Sequence, residues 1–491
     1  MSLRITQAQL ESYLWGAANL LRGTIDAGEY KSFIFPLLFL KRLSDVYDEE
    51  YAAALSESGD DEYAALPEQH RFMIPRGAHW ADLRQASKDV GQAIREATRS
   101  IEQANPRLAG VFGDAPWRNK ERLPDSTLRE LIEHYSQVTL SLANVPQDEL
   151  GVAYEFLIKK FADDSGHTAA EFYTNRTLVH LMTQLLELEP GESVYDPTCG
   201  SGGMLLIAAD ELRRQGKEHR SLRLYGQELN LTTSAIARMN LFLHGIEDFE
   251  IVRGDTLARP AFTSGDRLRQ FDVVLANPPY SISAWDRTAW SNDPWGRNKY
   301  GTPPQGRADY AFWQHILASC DPVSGRSAVL FPHGVLFRDE ERDMRNKLLK
   351  DDALEAVIGL GPNLFYNSPM EACIVITRSR KPAERRGKVL LINAVDEVTR
   401  ERAQSFLTEE HIARIVDGYR AFADEEGFAA VATLDDISKR GGNLSIAQYV
   451  GRAHPDDSPD LETALAAWRT STVELRDAAT ELLALLGETE S

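Results

Sequence analysis

The sequence predicts an α/β protein: a doubly wound parallel sheet in the middle of the chain, preceded by an α-helical domain and followed by a helical segment. Three observations carry this. From residue 193 onward, strand-like runs alternate with helical runs, the order that builds a parallel sheet covered on both faces. Before residue 190 strand signals are scarce and helical spacing dominates. After residue 458, apolar residues recur at alternating steps of four and three.

Taken in order, the first element opens with Thr6 and Gln9 in capping-box spacing, followed at helical intervals by Leu10, Tyr13, Leu14, Ala17, Leu20 and Leu21. A second helical stretch starts at Ser32, and 83–104 and 126–160 read as mainly helical. The apolar run from Phe33 to Leu40, within that second helical stretch, is too short to span a bilayer and contains Pro36. The sheet begins with the strand SVYDP (193–197), then the helix 204–215, the strand 222–229, and the helix 232–245 with Gly245 as its C-cap. Strands follow at 250–255 and 271–279, a helix at 309–320, and strands at 327–332, 354–360 and 388–393. Beyond about residue 405 the chain reads as helical. The expected domains are therefore 1–145 (helical), 146–405 (sheet) and 406–491 (mainly helical). In the last, Leu461, Leu465, Trp468, Thr472, Leu475, Ala479, Leu482 and Leu486 form an a/d seam on a helix over 458–487. That seam suits either packing on its own domain or docking on another subunit.

Composition narrows the class. At 491 residues the chain is long for one domain, and 43% hydrophobic with 26% charged residues is ordinary for a globular protein outside a membrane. The opening residues lack the pattern of a signal peptide. The three cysteines, Cys199, Cys320 and Cys373, form no CxxC pair, which argues against a disulfide framework or a metal site and fits a reducing cytoplasm. A net charge of −20 is unfavourable for solitary binding to nucleic acid, whose phosphates reward a basic excess. If the chain binds nucleic acid, a partner must provide much of the electrostatic grip.

Two strand ends carry candidate chemistry. Residues 196–205, DPTCGSGGML, leave a strand, turn through Gly200, Gly202 and Gly203, and enter a helix. Glycines there let a ligand press against bare backbone, at the edge where doubly wound sheets bind ligands. Asp196 can accept from a ligand ammonium or order the loop. Glu228 ends the next strand, where an acidic residue holds ribose hydroxyls, and Asp255 ends the third, where it can accept from an adenine amine. Loop chemistry leaves two ligands open, a dinucleotide and S-adenosyl-L-methionine. Leu205 stands where a dinucleotide loop prefers its third glycine, which favours the second. Cys199 is more simply a small loop residue than a nucleophile.

The other strand end reads VVLANPPYS (273–281). A proline-stiffened turn is one explanation. The other is a grip on a planar exocyclic amine. The side-chain oxygen of Asn277 and the carbonyl of Pro278 would accept from the amine hydrogens, which helps its nitrogen become tetrahedral and nucleophilic. Pro278 and Pro279 hold the backbone rigid, and Tyr280 offers a face for stacking the ring. A base in a duplex would have to be flipped out to reach such a site.

DPTCGSGGM together with NPPY resembles the donor loop and catalytic motif of amino-directed methyltransferases, which implies a Rossmann-like methyltransferase sheet. EFYTNR (Glu171, Phe172, Tyr173, Thr174, Asn175, Arg176) is similar to the segment that closes over the donor in the DNA adenine branch. The resemblance implies that Thr174 meets the methionine moiety and Phe172 or Tyr173 the nucleoside; Asn175 stands where the family often has proline. It also implies donor contacts from Asp196, Thr198, Gly200, Ser201, Gly202, Gly203, Glu228 and Asp255. The segments 21–49, 306–317, 329–338 and 363–376 resemble the modification subunit of Type I restriction–modification systems, over about residues 5–450. That implies methyl transfer from S-adenosyl-L-methionine to adenine N6 in DNA. It implies a separate specificity subunit, usually with two methyltransferase chains to one, and a motor/nuclease subunit for restriction. About 80 residues separate Asp196 from Asn277, filled by strands and helices with no inserted recognition domain, and no phosphate-binding G-x-x-x-x-G-K loop for ATP is present. Methylation of RNA or of protein glutamine, a non-catalytic scaffold and a nicotinamide oxidoreductase are the weighed alternatives. The first is disfavoured by the large helical domain, the second by the intact Asn277 and Gly202, and the third by Leu205 and NPPY.

Overall fold

A computed structural model describes residues 5–164, 174–364, 371–400 and 405–451, together with 465–466, 468–473, 475–476, 478 and 480. Glu171, Phe172 and Tyr173 lie outside the described residues, as do Leu461, Ala479, Leu482 and Leu486 of the heptad seam.

The helical part is built from α1 (Gln7–Leu21), α2 (Lys31–Ser58), α3 (Val90–Ala104), α4 (Asp125–Tyr135) and α5 (Gln147–Asp164). Thr6 and Gln9 form the expected capping box on α1. The helical stretch expected from Ser32 is α2, and it runs through Pro36, where burial of Phe33, Phe35, Leu37, Leu38 and Leu40 outweighs one lost backbone bond. The stretch read as one helical region over 126–160 is α4 and α5 with a linker between them. That linker is pinned to α2: Arg42 Nη1 donates to the carbonyls of Leu140, Ser141 and Val145, and Asp45 accepts from the Leu140 N–H. The first core does not stop at residue 145. Leu150, Tyr154, Leu157 and Phe161 of α5 belong to it.

Among the described residues the sheet has nine strands: β1 (Ser193–Asp196), β2 (Arg223–Glu228), β3 (Phe249–Arg253), β4 (Val273–Ala276), β5 (Arg326–Pro332), β6 (Leu354–Leu360), β7 (Ala372–Arg378), β8 (Lys388–Ala394) and β9 (Ala429–Thr433). Their spatial order is β9-β8-β6-β7-β5-β4-β1-β2-β3. Seven strands are parallel, which is the expected class. Two corrections apply. β7, not foreseen as a strand, inserts antiparallel between β5 and β6, and β9 runs antiparallel to β8 in a region read as helical. β7 is a continuous apolar run, whose type periodicity alone does not decide. β9 is alanine-rich and pairs only at the sheet edge.

Helices cover both faces. On one lie α6 (Arg176–Leu186) and α7 (Gly203–Arg214), through residues such as Leu178, Met182, Leu205 and Leu212. Between the two parts of the protein, α8 (Leu231–Leu243) turns Ile236, Met239 and Phe242 to the helical core and Ala237 and Leu241 to the sheet core. The opposite face is covered by α9 (Asp309–Ser319) and α10 (Arg342–Lys350), through Tyr310, Trp313, Met344 and Leu348. After β8, α11 (Glu409–Ala421) returns to the first face with Ile412 and Ile415. The chain runs outward from β1 to β3, then returns to place β4 beside β1. This is the switch point at which doubly wound sheets open a crevice, and both motif-bearing loops stand there. Among the described residues, no helix is long and apolar enough to cross a membrane, and no group of His, Cys, Asp and Glu is arranged to hold a metal ion. The described residues between 465 and 480 that keep a helical assignment are all exposed, with Leu465, Trp468 and Leu475 at 42%, 65% and 73%.

Candidate active site

The glycine loop is held from three sides. Cys199 N–H donates to the Gln227 carbonyl (3.0 Å), Gly200 N–H to Glu228 Oε2 (3.0 Å), and Asn240 Nδ2 to the Ser201 carbonyl (3.1 Å). Thr256 Oγ1 donates to the Pro197 carbonyl at 2.6 Å, tying in the segment after β3. Gly202 packs against Ala237 of α8 and has a φ of +79°, a backbone geometry that a side chain would strain. Cys199 is buried against β2, and burial pushes its thiol well above the usual range, which removes it as a nucleophile.

Asp196 ends β1 at 1% exposure. Its Oδ1 accepts from the Thr198 N–H (2.9 Å), yet burial dominates and pushes its carboxyl up to about 7, with neighbouring Glu228 acting in the same direction. Glu228 also accepts from the Asn230 N–H at 2.8 Å, and Asp255 accepts from the N–H groups of Leu257 and Ala258.

At the other strand end, Asn277 is the first residue beyond the fully buried β4. Its Nδ2 donates to Thr174 Oγ1 at 3.0 Å and its Oδ1 accepts from the Tyr280 hydroxyl at 2.9 Å. Burial holds that hydroxyl far above its usual range, so it stays a donor. The amide is therefore fixed in one orientation from both ends, while the second lone pair of Oδ1 is left for another donor.

Two depressions meet here. A narrow crevice is lined by Thr174, Arg176, Asp196, Gly200, Ser201 and Gly203. An open cleft of about 870 Å³ is lined by Glu228, Asp255, Pro278, Pro279 and Tyr280. Thr198 and Asn277 line both. The expected residues thus divide between two connected spaces, and two of them turn away. Asn175 caps α6 by accepting from the Thr177 N–H and braces the chain by donating to the carbonyls of Leu364 and Ser405. Gly202 serves the packing of α8. Sequence reasoning missed Glu155 of α5, which lines the crevice and pairs with Arg176 at 2.6 Å, and Ile282, Trp285 and Phe312, which line the cleft beside Tyr280. Glu155 was visible as a lone acid on the apolar face of a helix, and Trp285 as a tryptophan five residues after the turn.

A switch-point sheet that ends one strand in an acidic glycine loop and its neighbour in Asn-Pro-Pro-Tyr defines the class: an S-adenosyl-L-methionine-dependent methyltransferase. Residues 145–458 match the family described as N-6 DNA Methylase, and residues 10–135 match the HsdM N-terminal domain. The chain is 30% identical, over 98% of its length and 89% of the relative's, to the Type I restriction enzyme MjaIX methylase subunit of Methanocaldococcus jannaschii. It is 28% identical, over 92% of its length and 91% of the relative's, to the MpnII methylase subunit of Mycoplasma pneumoniae. Among solved structures it is similar to the Type I restriction–modification methyltransferase subunit of Streptococcus thermophilus. The TM-score is 0.79 and the identity 29%, over 91% of this chain and all of that one. The chain belongs to the N-6 DNA methylase family, among the Type I restriction enzyme methylase subunits. It is an adenine-specific DNA methyltransferase, and its methyl donor is S-adenosyl-L-methionine.

Proposed function

We propose that the chain methylates N6 of an adenine flipped out of DNA, with sequence choice supplied by a separate specificity subunit. The observation that carries this reading is the position of Asn277, which lines both the narrow crevice and the open cleft and is held from both ends.

The crevice suits the donor. Its polar lining offers buried Asp196, backbone at Gly200 and the Arg176–Glu155 pair, which match a cation, a close nucleoside and a carboxylate. Nothing in it calls for a pyrophosphate. When bound, S-adenosyl-L-methionine supplies an electrophilic methyl on a sulfonium. In this reading Asp196 faces its positive charge and Thr174 and Arg176 hold the methionine end in the crevice, while the nucleoside passes over Thr198, Gly200, Ser201 and Gly203 into the near side of the cleft, where Glu228 and Asp255 face it.

The cleft suits a base. Tyr280 stacks on the ring, and Asn277 Oδ1 with the Pro278 carbonyl accepts from the N6 hydrogens, drawing the lone pair out of the ring toward the methyl. Pro279 stiffens the turn. N6 would take the methyl of bound S-adenosyl-L-methionine, the sulfur–methyl electron pair would stay on sulfur as a thioether, and the displaced N6 proton would leave to water. No covalent enzyme intermediate is needed.

The net charge of −20 supports delegation of DNA binding to the assembly. We assign two copies of the chain to one specificity subunit, with a motor/nuclease subunit joining for restriction in the cytoplasm. The exposed apolar residues Leu465, Trp468 and Leu475 favour the segment 458–487, which the heptad spacing predicts to be helical, as the docking element. Deleting 458–491 should then abolish co-purification with the specificity subunit while donor affinity is kept; an intact complex overturns that assignment. For the catalytic reading, Asn277→Ala should abolish transfer and leave the donor dissociation constant, measured by calorimetry, within about twofold. Donor affinity lost with transfer would contradict the division of roles.

A further inference from the structure

Ser281 directly follows the Asn-Pro-Pro-Tyr turn and has a φ of +52°, a left-handed geometry that a residue with a side chain adopts only when its surroundings impose it. Its backbone N–H is held by one carboxylate. Asp309, the first residue of α9, accepts the Ser281 N–H at Oδ1 (2.7 Å) and the Ser281 hydroxyl at Oδ2 (3.3 Å). Oδ2 also accepts from Arg338 Nη2 at 2.6 Å, and Arg338 Nε donates to Glu341 Oε2 at 2.8 Å. Arg307 Nη1 donates to the Ser281 hydroxyl at 3.3 Å. The Asp309 and Glu341 side chains are 1% and 0% exposed. The Arg338 side chain packs closely over Gly334, where a Cβ would lie 3.2 Å from it. Neither Asp309 nor Ser281 lines the crevice or the cleft.

Buried charges in a network are a poor source of net stability, because desolvation offsets their attraction. What this network does supply is geometry. One turn further along α9, Phe312 lines the cleft that Tyr280 also lines. A single helix therefore anchors the end of the motif turn and carries part of the wall of the space the turn faces.

We propose that Asp309 is a positioning residue for methyl transfer. It holds Ser281 in its left-handed conformation, and through it fixes Tyr280 and Asn277 against the acceptor amine. This rests on the reading of Asn277 and Tyr280 given above. The chain would be assayed in complex with its specificity subunit, on DNA from a host lacking the modification, with tritium-labelled donor. Asp309→Asn should lower the single-turnover transfer rate by about 10–100-fold, the scale of a small misplacement of reacting groups, with donor affinity within about twofold of wild type. Ser281→Gly alone should be near wild type, and in the Asp309→Asn background it should restore transfer several-fold, because glycine adopts this φ unaided. Ser281→Val attacks the same geometry from the turn side with the charge network intact, and should reproduce the loss even if Asp309→Asn fails to fold. An undiminished rate in Asp309→Asn overturns the proposal. So does a loss shared equally by donor binding and transfer that Ser281→Gly does not relieve. Asn277→Ala, run in parallel, tests the underlying reading separately: if it keeps transfer, both fall, whereas if it alone loses transfer, only the role of Asp309 falls.

Discussion

The carboxyl of Asp196 provides a quantitative test. Its value of about 7 against an ordinary 3.8 means that the folded protein retains a proton that the unfolded chain has released, across a span of about 3 pH units. The sign follows. Stability associated with this group is present below about pH 4 and is lost as pH rises toward 7, by about 1.4 kcal/mol per pH unit. Asp196→Asn is nearly isosteric and does not titrate there. The difference in unfolding free energy between wild type and Asp196→Asn should therefore move by about 2–3 kcal/mol in favour of the mutant between pH 5 and pH 7, and flatten above pH 7. Urea unfolding at a series of pH values reads this directly, and groups common to both proteins cancel in the difference. Donor binding gives an independent readout. If the ionised carboxylate faces a cationic donor, wild-type affinity should rise about tenfold per pH unit below 7, while that of Asp196→Asn should be lower and nearly flat. Parallel stability profiles for the two proteins would refute burial as the dominant influence on Asp196. An equal pH dependence of donor binding in both would refute its role opposite the donor.

Tyr280→Phe keeps the ring but removes the bond to Asn277 Oδ1, and should slow single-turnover transfer by about 3–10-fold with donor affinity unchanged. Tyr280→Ala, which also removes the stacking face, should lose considerably more. Arg297 is almost fully buried, paired with Asp293 at 2.6 Å and donating to the carbonyls of Thr256 and Leu257 beside the donor loop. Arg297→Met strands a buried carboxylate and should destabilise by about 3–5 kcal/mol in urea unfolding, and an unchanged midpoint would show that the pair is dispensable.

The elements that position the site were legible because their signals are local. SVYD and VVLA are short runs stopped by Gly- or Pro-rich turns, and each became a buried strand that delivers a polar residue to the crevice, Asp196 at the end of the first and Asn277 just beyond the second. Glu228 and Asp255 were legible by the same strand-end logic. The hidden part depends on distant pairing. No local feature of ACIVITR shows that it runs antiparallel between β5 and β6, since strand direction is set by the loop before it and by the neighbours that accept it. Nor could spacing show that Glu155 crosses from the helical part to pair with Arg176. The motif GRADYAFWQHIL was readable as a family likeness, while the bond from Asp309 to Ser281, 28 positions away in the chain, exists only once α9 has packed.

The most direct test of the central claim is long-read sequencing of host DNA for modified bases, comparing the native gene with an Asn277→Ala allele. N6-methyladenine is expected at one split, two-part motif, present with the native gene and absent with the mutant. Adenine marks that persist unchanged in the Asn277→Ala strain, or an allele-dependent mark on a different base, would contradict it.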